Sequence, residues 1–237
     1  MKKTIIALAV AASSLPALAQ KAPEPDYTLS ANVGLFSDYR FRGLSQTDTK
    51  PALQGGFDFA HKSGFYAGNW NSSINWLADS SGLESDFYLG YKTELGGIGL
   101  DLGNLYYYYA GEGDVGDANT NEVYIGLSYG PFGFKTSYTT SSTYFGTAGK
   151  GTIYYNLSAS FPVSETLALK ASYGYTAGKE EMEDSKGTDF LLGVALDMGE
   201  GWSLGVSYIG ATGDYKDSAA NIDSGKSAAV VSISRSF

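Results

Sequence analysis

The sequence predicts an all-β chain, a 12-stranded antiparallel up-and-down transmembrane β-barrel preceded by a cleaved signal peptide. Three observations carry this: an export signal at the start, period-two alternation of apolar and polar side chains through most of the remainder, and a last strand that ends on an aromatic residue, Phe237. Alternation over about ten residues is what a strand between lipid and a polar lumen requires.

Lys2 and Lys3 form a positive n-region, Thr4 to Ala12 an apolar core, and Ala17-Leu18-Ala19 a small-x-small site that places the cut before Gln20. The apolar core is about half of the roughly 20 residues that a spanning helix needs, and no later window reaches that length. The expected organisation is a signal peptide at 1–19, a periplasmic lead at 20–26 and the barrel at 27–237. With no cysteine, neither a disulfide framework nor a thiol nucleophile is available. Charged residues make up 17% of the chain, below the roughly 25% usual in soluble domains. Without Lys2 and Lys3, 14 basic residues face 25 acidic ones, a net charge of −11 that argues against a nucleic-acid partner.

Leu29, Ala31, Val33 and Leu35 share one face of the first strand, with Ser30, Asn32 and Gly34 opposite. The same pattern recurs in Ile153/Tyr155/Leu157/Ala159/Phe161, Leu167/Leu169/Ala171/Tyr173/Tyr175, Phe190/Leu192/Val194/Leu196 and Trp202/Leu204/Val206/Tyr208. Short turns rich in Gly or Pro fall near 61–64, 96–99, 130–133, 162–165 and 198–201. Longer polar connections fall near 44–51, 76–84, 110–121, 142–151, 177–188 and 212–225. Five short and six long connections join twelve strands, an even count with both termini on the short-turn side, as a bacterial barrel has.

A soluble β-sandwich would hide its aromatic residues mid-strand. Here Tyr27, Phe65, Phe132, Phe161, Trp202 and Phe237 lie near the short turns, and Tyr106, Tyr108, Tyr144 and Tyr175 toward the long loops, which predicts two interfacial girdles. In the final strand Val231, Ile233 and Phe237 form the signal read by the barrel-assembly machinery. Arg235 occupies a position that is normally apolar there, and its side chain is expected to snorkel to the headgroups.

Residues Asp38 to Thr47, followed by Lys50 to Asp58 and by Ser63 to Gly68 with Trp70, resemble the TorF porin family, densely over 36–70 and loosely beyond. The resemblance implies an outer-membrane barrel with channel activity; it defines no substrate and no binding residues.

His61 is the sole histidine and falls at a short turn, so histidine-based hydrolysis has no base at the expected outer side; the sequence predicts no enzyme, no cofactor and no zinc-type site. Glu112, Asp114 and Asp117, and the run Glu180 to Asp184, could hold calcium or bridge to lipopolysaccharide, or be a solvated surface. Strand periodicity turns Asp38, Arg40, Arg42, Gln54, Asp58, Asp86, Lys92, Glu94, Asp101, Glu122, Lys135 and Lys170 inward, since Arg or Lys facing lipid costs about 2–4 kcal/mol at mid-membrane. These charges either line an open bore or pair and close it. Small inward residues such as Gly90, Gly103, Gly126 and Ser158 favour a narrow water-filled bore, and connections this short offer no constriction segment. The expected function is passive diffusion of small hydrophilic solutes with weak cation preference; the alternative is a non-conducting structural or adhesive barrel.

Overall fold

The computed structural model describes residues 25–77, 81–111, 117–178, 186–213 and 225–237. The signal peptide, Glu112, Asp114 and the run Glu180 to Asp184 lie outside the described residues. Twelve long strands make the wall: β1 (Tyr27–Phe36), β4 (Ala52–His61), β5 (Phe65–Ser73), β6 (Leu83–Leu95), β7 (Ile98–Tyr109), β8 (Thr120–Tyr129), β9 (Phe132–Thr139), β12 (Ile153–Pro162), β13 (Leu167–Ala177), β14 (Gly187–Gly199), β15 (Trp202–Gly213) and β16 (Ala228–Ser236). Each pairs antiparallel with its neighbours in chain order, and β1 pairs with β16 from Asn32↔Ser236 to Phe36↔Ser232, so the sheet closes. Closure removes every edge strand, the condition for a sheet to sit in hydrocarbon. Two further pairs, β2 (Arg40–Phe41) with β3 (Leu44–Ser45) and β10 (Thr143–Tyr144) with β11 (Thr147–Ala148), are small hairpins inside long connections.

The wall is apolar outside. Leu29 is 71% exposed, Phe57 69%, Leu192 59% and Tyr129 69%, values a soluble core does not leave on its surface. At the short-turn end, Tyr27 stacks on Phe59, Phe59 meets Phe65, and Phe132 meets Phe161 edge-on at 5.6 Å, forming the lower girdle. Asn69, Asn71, Asn104 and Asn121 interrupt the outer face, and each directs its amide into the barrel's own hydrogen bonding, Asn121 to the Thr140 hydroxyl at 2.7 Å. Asn71 donates to Asn69 Oδ1 (2.6 Å), Asn69 to the Asp86 carbonyl (3.0 Å) and Asn104 to the Glu122 carbonyl (3.2 Å). In hydrocarbon an amide without a partner would cost several kcal/mol, roughly, so these internal bonds are what make them tolerable there.

Val231, Ile233 and Phe237 face outward on or beyond β16, at 48%, 40% and 65% exposure. Arg235 lies between them with its guanidinium 5.3 Å from the Trp202 ring and 4.8 Å from the Phe237 ring. The charge is therefore held against two girdle rings at the membrane edge.

In two places the structure departs from the sequence reading. The first strand stops at Phe36, so Asp38, Arg40 and Arg42 belong to the connection 37–51 and not to the wall. The pattern of alternation continues through them because β2 and β3 are themselves extended. At the tip Arg42 (φ 48°) and Gly43 (φ 79°) are both left-handed, the conformation of a two-residue type I′ turn and one that no strand carries. Nor is a constriction segment absent: this hairpin folds into the barrel, as does the β10–β11 hairpin of connection 140–152. Tyr144 goes inward with it and is not a girdle residue.

Candidate functional site: a strapped lumen

The hairpin of connection 37–51 is organised by one carboxylate. Asp38 Oδ1 accepts from the Ser45 hydroxyl (2.6 Å) and the Thr47 hydroxyl (3.1 Å), and Oδ2 accepts from Arg40 Nε at 2.5 Å. Arg40 also donates to the Gly43 and Lys226 carbonyls, which ties the turn to the loop before β16. The tip then crosses the bore. Gly43 lies against β15, where an added Cβ would stand 2.6 Å from the Gly210 carbonyl oxygen. Arg42 reaches β8, donating through Nη2 to both Glu122 oxygens at 2.7 and 2.9 Å. β15 and β8 stand five strands apart in a ring of 12, nearly a diameter, so this segment is a strap across the lumen.

Aromatic packing fixes the strap. Phe41 meets Tyr107 at 5.6 Å and Phe145 at 5.2 Å, and Tyr39 meets Trp70 at 5.4 Å. The Arg42 guanidinium lies 4.1 Å from the Tyr154 ring centre and donates to the Tyr144 hydroxyl at 2.7 Å. The Tyr39 hydroxyl donates to Glu84 Oε1 at 3.2 Å. Burial, reinforced by the Glu84 and Asp86 carboxylates, pushes that phenol well above its ordinary value, so it stays a neutral donor. The result is a small core inside the outer half of the barrel, built from Tyr39, Ile74, Leu77, Tyr107 and Tyr109 with Phe41 and Phe145 packed on it.

Below the strap the lumen is built in rows. Antiparallel register sets Tyr66, Gly90, Gly103 and Tyr124 side by side on β5 to β8. The two tyrosines lie over the two glycines and meet hydroxyl to hydroxyl. Tyr66 also donates to Asp101 Oδ1 at 2.6 Å. Tyr88 repeats the device over Gly68 and donates to Asp58 at 2.5 Å. A ring laid over a cross-strand glycine shields bare backbone and pins register. A Cβ at Gly90 or Gly103 would fall within the ring above it. Gly90→Ala and Gly103→Ala should therefore each destabilise the barrel by about 1–3 kcal/mol, the usual cost of overpacking. Urea unfolding in detergent micelles measures this, and unchanged midpoints would refute the packing assignment.

The next row is Lys92, Asp101, Gly126 and Lys135 on β6 to β9. Lys92 Nζ is 3.9 Å from Asp101 Oδ2 and 4.6 Å from the Tyr66 ring centre; Lys135 Nζ is 3.6 Å from the Tyr124 ring centre. Gln54 and Asp86 are buried on the inner face, nearer the strap. Glu94 and Lys170 lie on inner-face registers toward the short turns and make no ion pair among the described residues. The structure thus joins Asp38 to Arg40 and Lys92 to Asp101, and brings Arg42 to Glu122, while Asp58 has a tyrosine partner. His61 is the exposed last residue of β4, its Nδ1 2.8 Å from the Ser63 hydroxyl in the turn that follows. Alternation did not single out Tyr39, Tyr66, Tyr107, Tyr124 or Tyr154; the Arg42-Gly43 pair was the one local sign of a hairpin.

Comparison with solved structures finds the same architecture in porins. The KdgM porin matches with a TM-score of 0.57 and 8% identity over 88% of this chain and 99% of that one. The NanC porin matches with a TM-score of 0.55 and 12% identity over 89% and 99%. An outer-membrane channel from Pseudomonas putida F1 matches with a TM-score of 0.52 and 11% identity over 90% and 96%. At these identities the likeness is one of fold. No curated protein matches in sequence. The model of the Gcw_chp family, described as a bacterial protein of unknown function, matches residues 20–237, and the chain belongs to that family.

Proposed function

We propose that this protein is an outer-membrane porin, exported through its signal peptide, that passes small hydrophilic solutes by diffusion through a narrow, mixed-charge lumen strapped at its outer half. One observation carries the reading: a closed cylinder whose outer face is Leu, Phe, Val and Tyr and whose inner face is Ser, Gly, Tyr and charge of both signs. Such a wall separates lipid from water. The resemblance to the TorF family and the porin fold of the solved neighbours support it. Lipid and lipopolysaccharide would contact the outer wall, and the assembly machinery would read Val231, Ile233 and Phe237. The acidic excess of the chain favours cations at the mouths, within about a Debye length.

Planar-bilayer recording and liposome swelling test this together. Discrete conductance steps, with a modest cation preference and leakage of small sugars, are expected. A second reading is favoured by the strap itself: with the outer lumen filled by aromatic packing and the Arg42–Glu122 pair, the barrel would be a non-conducting structural element. Tight liposomes and silent bilayers would select that reading over the porin.

A further inference from the structure

Between the strap and the short-turn end, the inner wall of β6 to β12 carries an open recess of about 310 Å³ lined by Lys92, Asp101, Ser128, Lys135 and Ser158 over bare glycine. We propose that this recess is a binding subsite for a small, hydroxyl-bearing carboxylate, held by the ammonium groups of Lys92 and Lys135; the proposal rests on the porin reading for how such a solute arrives.

Four features make it a site. First, register places Lys92, Asp101, Gly126 and Lys135 in one row and Gly99, Ser128, Gly133 and Ser158 in the row beneath. A lysine thus stands at each end of the upper row, with hydroxyls below. Second, the glycines keep the floor clear: a Cβ at Gly133 would come within 2.8 Å of the Ser158 hydroxyl. The volume is at the lower end of those that hold small ligands. Third, both ammonium groups are positioned by ring faces, over Tyr66 and Tyr124, and those two rings are braced against each other through their hydroxyls. Ordering them in advance removes part of the entropy that capture of an anion would otherwise cost.

Fourth, the charge is unbalanced. Asp101 is the one carboxylate of the lining, and it accepts from the Tyr66 hydroxyl and faces Lys92. Lys135 makes no ion pair among the described residues, and it lines the recess with its ammonium over the Tyr124 ring. In a chain with nine excess negative charges this is a local positive site with one carboxylate acceptor, suited to a solute with one negative charge and several hydroxyl groups.

Titration calorimetry on the detergent-solubilised full chain tests the subsite without requiring conduction. The probes are D-glucuronate and its uncharged relative D-glucose. Glucuronate should bind at least about tenfold more tightly, as one charge-assisted contact implies. Lys135→Met and Lys92→Met should each lose on the order of tenfold, and Lys135→Arg should retain most of the affinity. Lys170→Met, outside the recess, should leave binding unchanged. Equal binding of the two sugars, no binding of glucuronate, or an equal loss in Lys170→Met would overturn the assignment. Channel steps without glucuronate binding remove the subsite alone; glucuronate binding to a barrel that never conducts supports the subsite and removes the porin.

Discussion

Replacing Arg42 with alanine should raise single-channel conductance several-fold. The strap crosses the lumen near its diameter, and Arg42 is the side chain that fastens its tip to the opposite wall. Two opposing energies decide whether the tip stays docked. The left-handed backbone at Arg42 (φ 48°) costs about 1–2 kcal/mol for a residue with a side chain. Against it stands a bidentate pair whose side chains are 8% and 1% exposed, and losing one partner of such a pair costs about 3–5 kcal/mol because the other charge is left buried. The tip is held against that strain by the pair together with the contacts of Phe41 with Tyr107 and Phe145.

In Arg42→Ala the Glu122 carboxylate is stranded in an aromatic pocket, and it regains water only if the strap swings out. The double variant Arg42→Ala with Glu122→Gln removes that pressure while still lacking the latch, so its conductance should fall between the two. Both are read by planar-bilayer recording at fixed salt. Identical unit conductance in wild type and both variants would show that the strap is not the constriction. Phe41→Ala weakens the same docking through lost ring contacts with Tyr107 and Phe145 and provides an independent arm.

Much of the architecture was legible because each of its determinants is local. Two-residue turns fix register directly: Gly96-Gly97 sets Leu95 opposite Ile98, and three pairs further along this puts Lys92 opposite Asp101. The turn Gly130-Pro131 likewise sets Gly126 opposite Lys135. Joining these two hairpins into one recess depends on the β7–β8 pairing of Asp101 with Gly126, which follows a long connection and cannot be counted from turn length. The strap was illegible for a different reason. Asp38, Arg40 and Arg42 keep the period of the strand before them, so alternation extends the strand straight through a segment that has already left the wall. The run Tyr106 to Tyr109 shows the limit of composition: Tyr106 and Tyr108 stack on the outside, while Tyr107 and Tyr109 are buried in the core beneath the strap.

Phe57→Arg should prevent stable folding, while Ser30→Arg, one position away in the β1–β4 ladder, should leave it nearly intact. Phe57 sits at the centre of the outer face of β4, opposite Ala31, and is 69% exposed. If hydrocarbon surrounds it, a guanidinium there costs about 2–4 kcal/mol, because a mid-strand position is farther from the headgroups than Arg235 at the end of the last strand. Ser30 faces inward and pairs with Asp58, so an arginine at that position meets water and a carboxylate. The same side chain is thus placed at nearly the same height on the two faces of one wall, and only the surroundings differ. Folding into lipid vesicles, followed by the heat-modifiable mobility of the folded form, gives the two yields. A large deficit for Phe57→Arg alone is expected of a barrel in a bilayer. Equal yields in vesicles, or full solubility of the wild type without detergent, would mean that the outer face meets water. The recess, the strap and the transport roles proposed for them would then have to be reinterpreted for a soluble cylinder, because each takes its meaning from which face of this wall is dry.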